Sequence, residues 1–211
     1  MLKSAMSENA GRVYGGPWVA ERLDASLQAA LADLANWLDE ARIPAIVIGG
    51  VAASVLGRPR LTRDIDVLAI VSEDAWSQAM TDAARHGIVP RIEDALAFAR
   101  QSRVLLMRHT GSSIDLDIVL GEMPFEFAAV ERGTVYSVGG ALVRLPSVEH
   151  LLVMKAVARR PKDLEDVSGL LDAHPEADLA EVRRWVSEFA GAASMPDMLK
   201  ELDRLIARRR K

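Results

Sequence analysis

Two short acidic motifs, Asp64-Ile65-Asp66 and Asp115-Leu116-Asp117, carry the residue types and spacing most suited to chemistry in this chain. Side chains alternate across a strand, so Asp64 and Asp66 share one face while Ile65 and Val67 turn to the other. Two ionised carboxylates held that close repel. Unless a cation lies between them, one takes up a proton or the pair costs stability. A divalent, oxygen-loving ion such as Mg²⁺ or Mn²⁺ resolves the conflict, and Mg²⁺ keeps waters and completes its shell with substrate phosphates.

The elements that must hold these acids are legible around them. Ala45 to Ile48 reads as a strand, apolar on both faces and so expected at the centre of a sheet. Gly49-Gly50 follows as a turn, then a short helix from Val51 to Leu56, a basic loop with Pro59, and the strand carrying Asp64 and Asp66. Glycine lets backbone approach a ligand closely, and a helix start aims N–H groups at an anion. Gly49 and Gly50 are therefore candidate nucleotide-binding positions. Further on, Ser113 to Leu120 alternates so that Asp115, Asp117 and Val119 face one way and Ile114, Leu116 and Ile118 the other. A half-buried strand explains the alternation but not two acids on its polar face.

Taken in order, Ile48-Gly49-Gly50, a spacer with Arg60-Leu61-Thr62-Arg63, and Asp64-Ile65-Asp66-Val67 resemble the signature of the DNA polymerase beta-like nucleotidyltransferase superfamily. The resemblance implies an α/β (α+β) fold, a small mixed sheet with flanking helices and a C-terminal helical part. It also implies a metal-dependent transfer of a nucleoside monophosphate from a nucleoside triphosphate to an acceptor hydroxyl. Asp64 and Asp66 then hold metal, and a third carboxylate stands on a neighbouring strand. Asp115 matches that position best, as a metal ligand that helps position or deprotonate the acceptor hydroxyl, with Asp117 as an extra ligand, an alternative base or a bystander. Arg60 and Arg63 suit phosphate recognition, although either alone is commonly a solvated surface residue. Thr62 either orients the loop or simply opens the strand.

Leu145 to Val167, LPSVEHLLVMKAVARRPKDLEDV, is similar to the second half of the AbiEii-type toxin nucleotidyltransferases. By that resemblance Lys155 contacts phosphate, and Asp163 and Asp166 sit on the helix that closes the site. Two acids three residues apart at a helix start also favour the helix dipole with no functional role. Pairing with Arg159 and Arg160 would turn the cluster into a structural network. The family implies a toxin that acts on tRNA or protein and is met by an antitoxin. A small-molecule acceptor of the aminoglycoside kind shares the same core, and the acidic face keeps that alternative open. A catalytically degenerate binding module is the third reading, disfavoured by the intact carboxylates.

Composition bounds the class. The chain has 211 residues, half of them hydrophobic, a net charge of −4 that provides no global pull on nucleic acid, and no cysteine, which excludes disulfides and thiolate chemistry. Met1 to Gly16 lacks an apolar run of signal-peptide length, and no later run is long enough to span a bilayer, so a cytoplasmic, non-membrane protein is expected. Residues 1–17 read as a flexible lead-in, 18–145 as the nucleotidyltransferase core and 146–211 as a helical region completing the cleft. Within these, helical spacing runs from Trp18 to Leu38. A helix capped by Ser72 continues through His86, and Glu93 to Gln101 forms another. Ile88 to Pro90 is a short edge strand, and Val104 to His109 is a further strand. A hairpin turns at Gly139-Gly140, and Ser147 caps a helix to Arg159. Helices over Leu164 to Leu171, Leu179 to Phe189 and Met195 to Lys211 complete the chain. No histidine pair has zinc-like spacing, and no P-loop or dinucleotide fingerprint is present.

Overall fold

The computed structural model describes residues 24–209; the lead-in, the start of the Trp18 helix and the last two residues of the basic terminus lie outside the described residues. The first helix, α1, spans Ala25–Glu40 and is capped by the Asp24 carboxylate, which accepts from Ser26 N at 2.8 Å. Its buried stripe of Leu27, Ala30, Leu31, Leu34 and Trp37 follows the helical period read from the sequence. There follow β1 (Ala45–Val47), α2 (Gly49–Leu56), β2 (Asp64–Ala69), a 3₁₀ turn at Glu73–Ala75, α3 (Trp76–Arg85), β3 (Ile88–Pro90), α4 (Ala95–Ser102), β4 (Val104–His109) and β5 (Asp115–Leu120). The second half comprises α5 (Pro124–Glu131), β6 (Thr134–Val138), β7 (Ala141–Leu145), α6 (Val148–Ala158), α7 (Pro161–Ala173), α8 (Leu179–Ala192) and α9 (Asp197–Arg209).

The strands form a five-stranded mixed sheet in the order β1-β2-β5-β4-β3, with β2 and β5 parallel and the other neighbours antiparallel. β1 is thus an edge strand, contrary to the central position expected from its apolar run. Ile46 packs on one face with Leu68, Ala129 and Val130, and Ala45 and Val47 join the main core on the other. Burial on two faces made the run apolar; it carries no information on how many strands flank it. β3 takes the opposite edge, as its shortness and proline predict. The β6–β7 hairpin pairs separately and turns through Gly139 and Gly140, both at positive φ.

Several boundaries moved, each for a local reason. α2 begins at Gly49 itself, whose φ of +64° lets the chain enter the helix directly from β1. Ser72 makes no side-chain cap, because a 3₁₀ turn intervenes before α3. β5 starts at Asp115, since Ser113 has left-handed backbone with φ +59°. α7 starts at Pro161 rather than Leu164, its proline serving as the first helical residue. Ser147 does cap α6, accepting from His150 N. Among the described residues no helix is long and apolar enough to cross a membrane.

Candidate active site

The parallel pairing of β2 with β5 sets the site. Asp64 lies opposite Asp115 and Asp66 opposite Asp117, so four carboxylates project from one face of the sheet as a rectangle. Ordinary strand spacing makes its sides about 4.8 Å and about 6.7 Å. Ile65, Val67, Leu116 and Ile118 point the other way into the core and pin the register, because a one-residue slip would bury all four acids.

The start of α2 leans over this rectangle. Ile48 N donates to Asp66 O at 2.8 Å, and the Gly50 amide hydrogen-bonds the Asp66 carboxylate. A Cβ at Gly49 would stand 1.7 Å from Asp66 Oδ2, and one at Gly50 would stand 2.5 Å from Thr62 Oγ1. Both glycines are therefore required by close approach. Thr62 resolves as a loop-orienting residue, its hydroxyl donating to Asp64 Oδ1 at 3.0 Å. Arg63 is exposed beside Asp64.

The four acids differ in environment. Burial raises Asp66 above the ordinary carboxyl range, and repulsion from Asp64 and Asp117 adds to the rise; Lys155 and the Gly50 amide oppose it. Asp115 moves the other way. Arg108 Nε donates to its Oδ1 at 2.7 Å and holds its carboxyl below the usual range, with Arg91 contributing. Asp117 Oδ1 is buried and lies 2.7 Å from Arg91 Nη1, yet it makes no hydrogen bond. One of the two Arg91 Nη1 protons is directed to Met107 O at 3.4 Å.

On the other side of Asp66 lies a second charged cluster. Lys155 is 3% exposed, and its Nζ sits 3.1 Å from Asp163 Oδ1 and 2.8 Å from Asp166 Oδ2. Arg60 clasps Asp166 with two bonds, Nε to Oδ1 at 2.8 Å and Nη2 to Oδ2 at 3.0 Å. Arg160 clasps Asp163 in the same way, while Arg159 pairs with Glu201 instead. Burial pushes the Asp163 carboxyl up, but Arg160 and Lys155 outweigh it and hold the carboxyl below the ordinary value. Lys155, Asp163 and Asp166 thus form an internal network that joins α6 and α7 to the loop before β2. Its three cations exceed its two acids by one positive charge, on the side facing Asp64 and Asp66.

Among the described residues no three acidic or imidazole side chains are placed to hold a metal ion together. The donor set nevertheless suits Mg²⁺ or Mn²⁺. Hard carboxylate oxygens from Asp64 and Asp66 are available, and such ions take one or two carboxylates plus water and phosphate oxygens. The rise at Asp66 is the response of a buried acid among acids, and a cation would relieve it.

The family model for the AbiEii nucleotidyl transferase toxins of type IV toxin–antitoxin systems matches residues 30–210. The chain belongs to the AbiEii family. It is a nucleotidyltransferase. Among curated proteins no sequence relative matches. Solved structures that share the fold include the following three. The antibiotic-resistance factor ANT(2'')-Ia in solution has TM-score 0.57 and 15% identity, covering 81% of this chain and 95% of its own. The same factor in complex with adenylyl-2''-tobramycin has TM-score 0.54 and 18% identity, covering 79% and 99%. An antigenic nucleotidyltransferase-like protein from Paracoccidioides brasiliensis has TM-score 0.53 and 17% identity, covering 86% and 94%.

In this AbiEii-family chain the residues singled out from sequence fall in two adjoining groups. Gly49, Gly50, Thr62, Asp64, Asp66, Asp115 and Asp117 share the sheet face and the α2 start, and Arg60, Lys155, Asp163 and Asp166 form the network beside them. Arg91 and Arg108 escaped the sequence reading. Arg108 has the same strand parity as Leu106, but only the β4–β5 register places it against Asp115. Arg91 lies just past β3, its amide donating to Leu106 O. No local sequence signal marks it as a partner of Asp117.

Proposed function

We propose that this AbiEii-family protein is a Mg²⁺- or Mn²⁺-dependent nucleotidyltransferase that acts as the toxin of a toxin–antitoxin pair, with tRNA or a protein as acceptor and a cognate antitoxin as partner. The observation that carries the site assignment is the Asp64–Asp115 and Asp66–Asp117 register beneath the Gly49-Gly50 helix start. Asp64 and Asp66 hold the metal. When bound, it supplies charge stabilisation to the attacking and leaving oxygens of an in-line displacement. The acceptor oxygen forms a bond to the α-phosphorus, the bond from that phosphorus to the bridging oxygen breaks, and pyrophosphate leaves.

The acceptor proton needs a carboxylate base. Asp117 serves this role better than Asp115, because a carboxylate that already accepts from Arg108 is the weaker base. Arg63 and the excess positive charge around Lys155 favour the triphosphate on the α2 side. Arg60 and Lys155 act from within the network, through their field, since both are committed to Asp166.

A second reading, transfer to a small polycationic molecule, is supported by the acidic face and by the fold shared with ANT(2'')-Ia, one of whose structures holds adenylyl-2''-tobramycin. The test is incubation with Mg²⁺ and each labelled nucleoside triphosphate, with total tRNA, a protein extract or an aminoglycoside mixture as acceptor, beside Asp66→Ala. Label on tRNA or protein, lost by roughly 10²-fold or more in the variant, is the expected result. Label on aminoglycoside alone moves the acceptor to the second reading. Undiminished transfer by Asp66→Ala overturns the site.

A further inference from the structure

We propose that Arg91 is a built-in stand-in for the catalytic cation: its guanidinium compensates Asp117 and Asp115, and a metal held by Asp64 and Asp66 takes over that compensation and frees it for the triphosphate. This rests on the metal-dependent reading above.

Three observations carry it. First, Arg91 Nη1 is 2.7 Å from Asp117 Oδ1 and 3.9 Å from Asp115 Oδ2, so one positive charge is shared between the two β5 acids. Secondly, the contact to Asp117 is charge pairing without a hydrogen bond. Oδ1 is buried and poorly aligned with the guanidinium, one of whose Nη1 protons goes to Met107 O. An ion pair without an aligned hydrogen bond loses less on exchange of its cation than a two-bond clasp does, provided that metal charge at Asp64 and Asp66 replaces that of the guanidinium. A permanent structural partner forms two-bond clasps, as Arg60 and Arg160 do with Asp166 and Asp163 a few residues away. Thirdly, Arg91 sits immediately after the short edge strand β3, anchored by its amide to Leu106 O while its side chain reaches across β4 to β5. Its charge can move without disturbing a central strand.

The exchange answers an electrostatic problem set by the rectangle. Four acids on one sheet face repel, and Asp115 already has Arg108, so the uncompensated charge on β5 is that of Asp117. Arg91 relieves it until metal arrives. A guanidinium displaced from a carboxylate is then free for phosphate oxygens, which match its fork.

The test is Mn²⁺ binding, followed by electron paramagnetic resonance without nucleotide, for the unaltered protein and for Arg91→Gln and Arg91→Lys. Arg91→Gln is expected to bind Mn²⁺ alone roughly fivefold more tightly, because a competing unit charge near the site is gone. In the presence of Mn²⁺ it is expected to bind inorganic triphosphate more weakly. Arg91→Lys keeps the charge and stays near the unaltered protein for metal. Equal or weaker Mn²⁺ binding by a folded Arg91→Gln overturns the stand-in. Should that variant not fold, the Arg91 Nε–H resonance of the unaltered protein decides: it shifts on adding Mg²⁺ alone, and an unmoved signal overturns the proposal. No Mn²⁺ binding by any of the proteins overturns the metal-dependent reading itself, a result distinct from equal binding by all.

Discussion

At the residue scale the site turns on two atoms that are absent, the β-carbons of Gly49 and Gly50. Asp66 can lie under the helix start only because Gly49 leaves the space that a Cβ would fill. Gly49→Ala combines that clash with an L side chain at φ +64°, a backbone cost of about 1–2 kcal/mol. Gly140 offers the control: its φ is +88°, and a Cβ there meets nothing within 4 Å. Both substitutions are expected to lower the urea midpoint by a similar backbone strain. Only Gly49→Ala should also lose nucleotidyl transfer, by roughly 10²-fold, since it displaces the Asp66 carboxylate to which the proposed mechanism gives the metal.

At the element scale the chain is joined through α7. That helix brings Asp163 and Asp166 to Lys155 on α6 and to Arg60 in the loop before β2, and Asp172 near its end pairs with Arg58 at 2.5 Å. The Arg58 pair is exposed and contributes little. The Lys155 cluster is different, because Asp163 has no exposed side-chain surface. Lys155→Met removes a buried cation from between two buried acids and is expected to cost roughly 3 kcal/mol, near the lower end for breaking a buried pair because Arg60 and Arg160 stay in place. Urea unfolding measures it. The two alternatives open at this motif, a phosphate-contacting lysine or a structural network, meet here: the network is what the side chains form, and its surplus positive charge faces the acids.

At the scale of the whole molecule, the sheet and the C-terminal helices share one apolar core. Phe125 of α5 stacks against His150 of α6 and against Trp185 and Phe189 of α8, each at 5.2 Å. His150 is buried there, its Nδ1 2.9 Å from Ser147 Oγ. Burial, with Arg132 nearby, lowers its pKa below the ordinary value near 6.5, although Glu181 and Glu149 act the other way. The unfolded chain then binds the proton more readily than the fold. The neutral ring's contribution is present above about pH 6.5 and is lost as the pH falls through that value toward the lowered folded one. The urea midpoint is expected to drop between pH 7.5 and pH 5, and His150→Gln should flatten that drop.

The sequence by itself determined what is local. Alternation over 115–120, helical spacing in the described part of the Trp18 to Leu38 stretch, the Gly139-Gly140 turn and the Ser147 cap depend on neighbours a few residues away, and these returned in the structure. The Gly-Gly and Asp-x-Asp pattern named the superfamily for the same reason, since its parts lie on adjoining elements. Tertiary structure alone decided the pairings between distant segments. Burial on both faces does not reveal strand order, so β1 proved an edge strand. Strand register, set by which apolar residues face the core, put Asp117 rather than Asp115 beside Asp66 and brought Arg108 and Arg91 to acids that composition could not assign to them. Charge pairs across β3, β4 and β5 are fixed by packing on the opposite face of the sheet, and that information is spread over the whole chain.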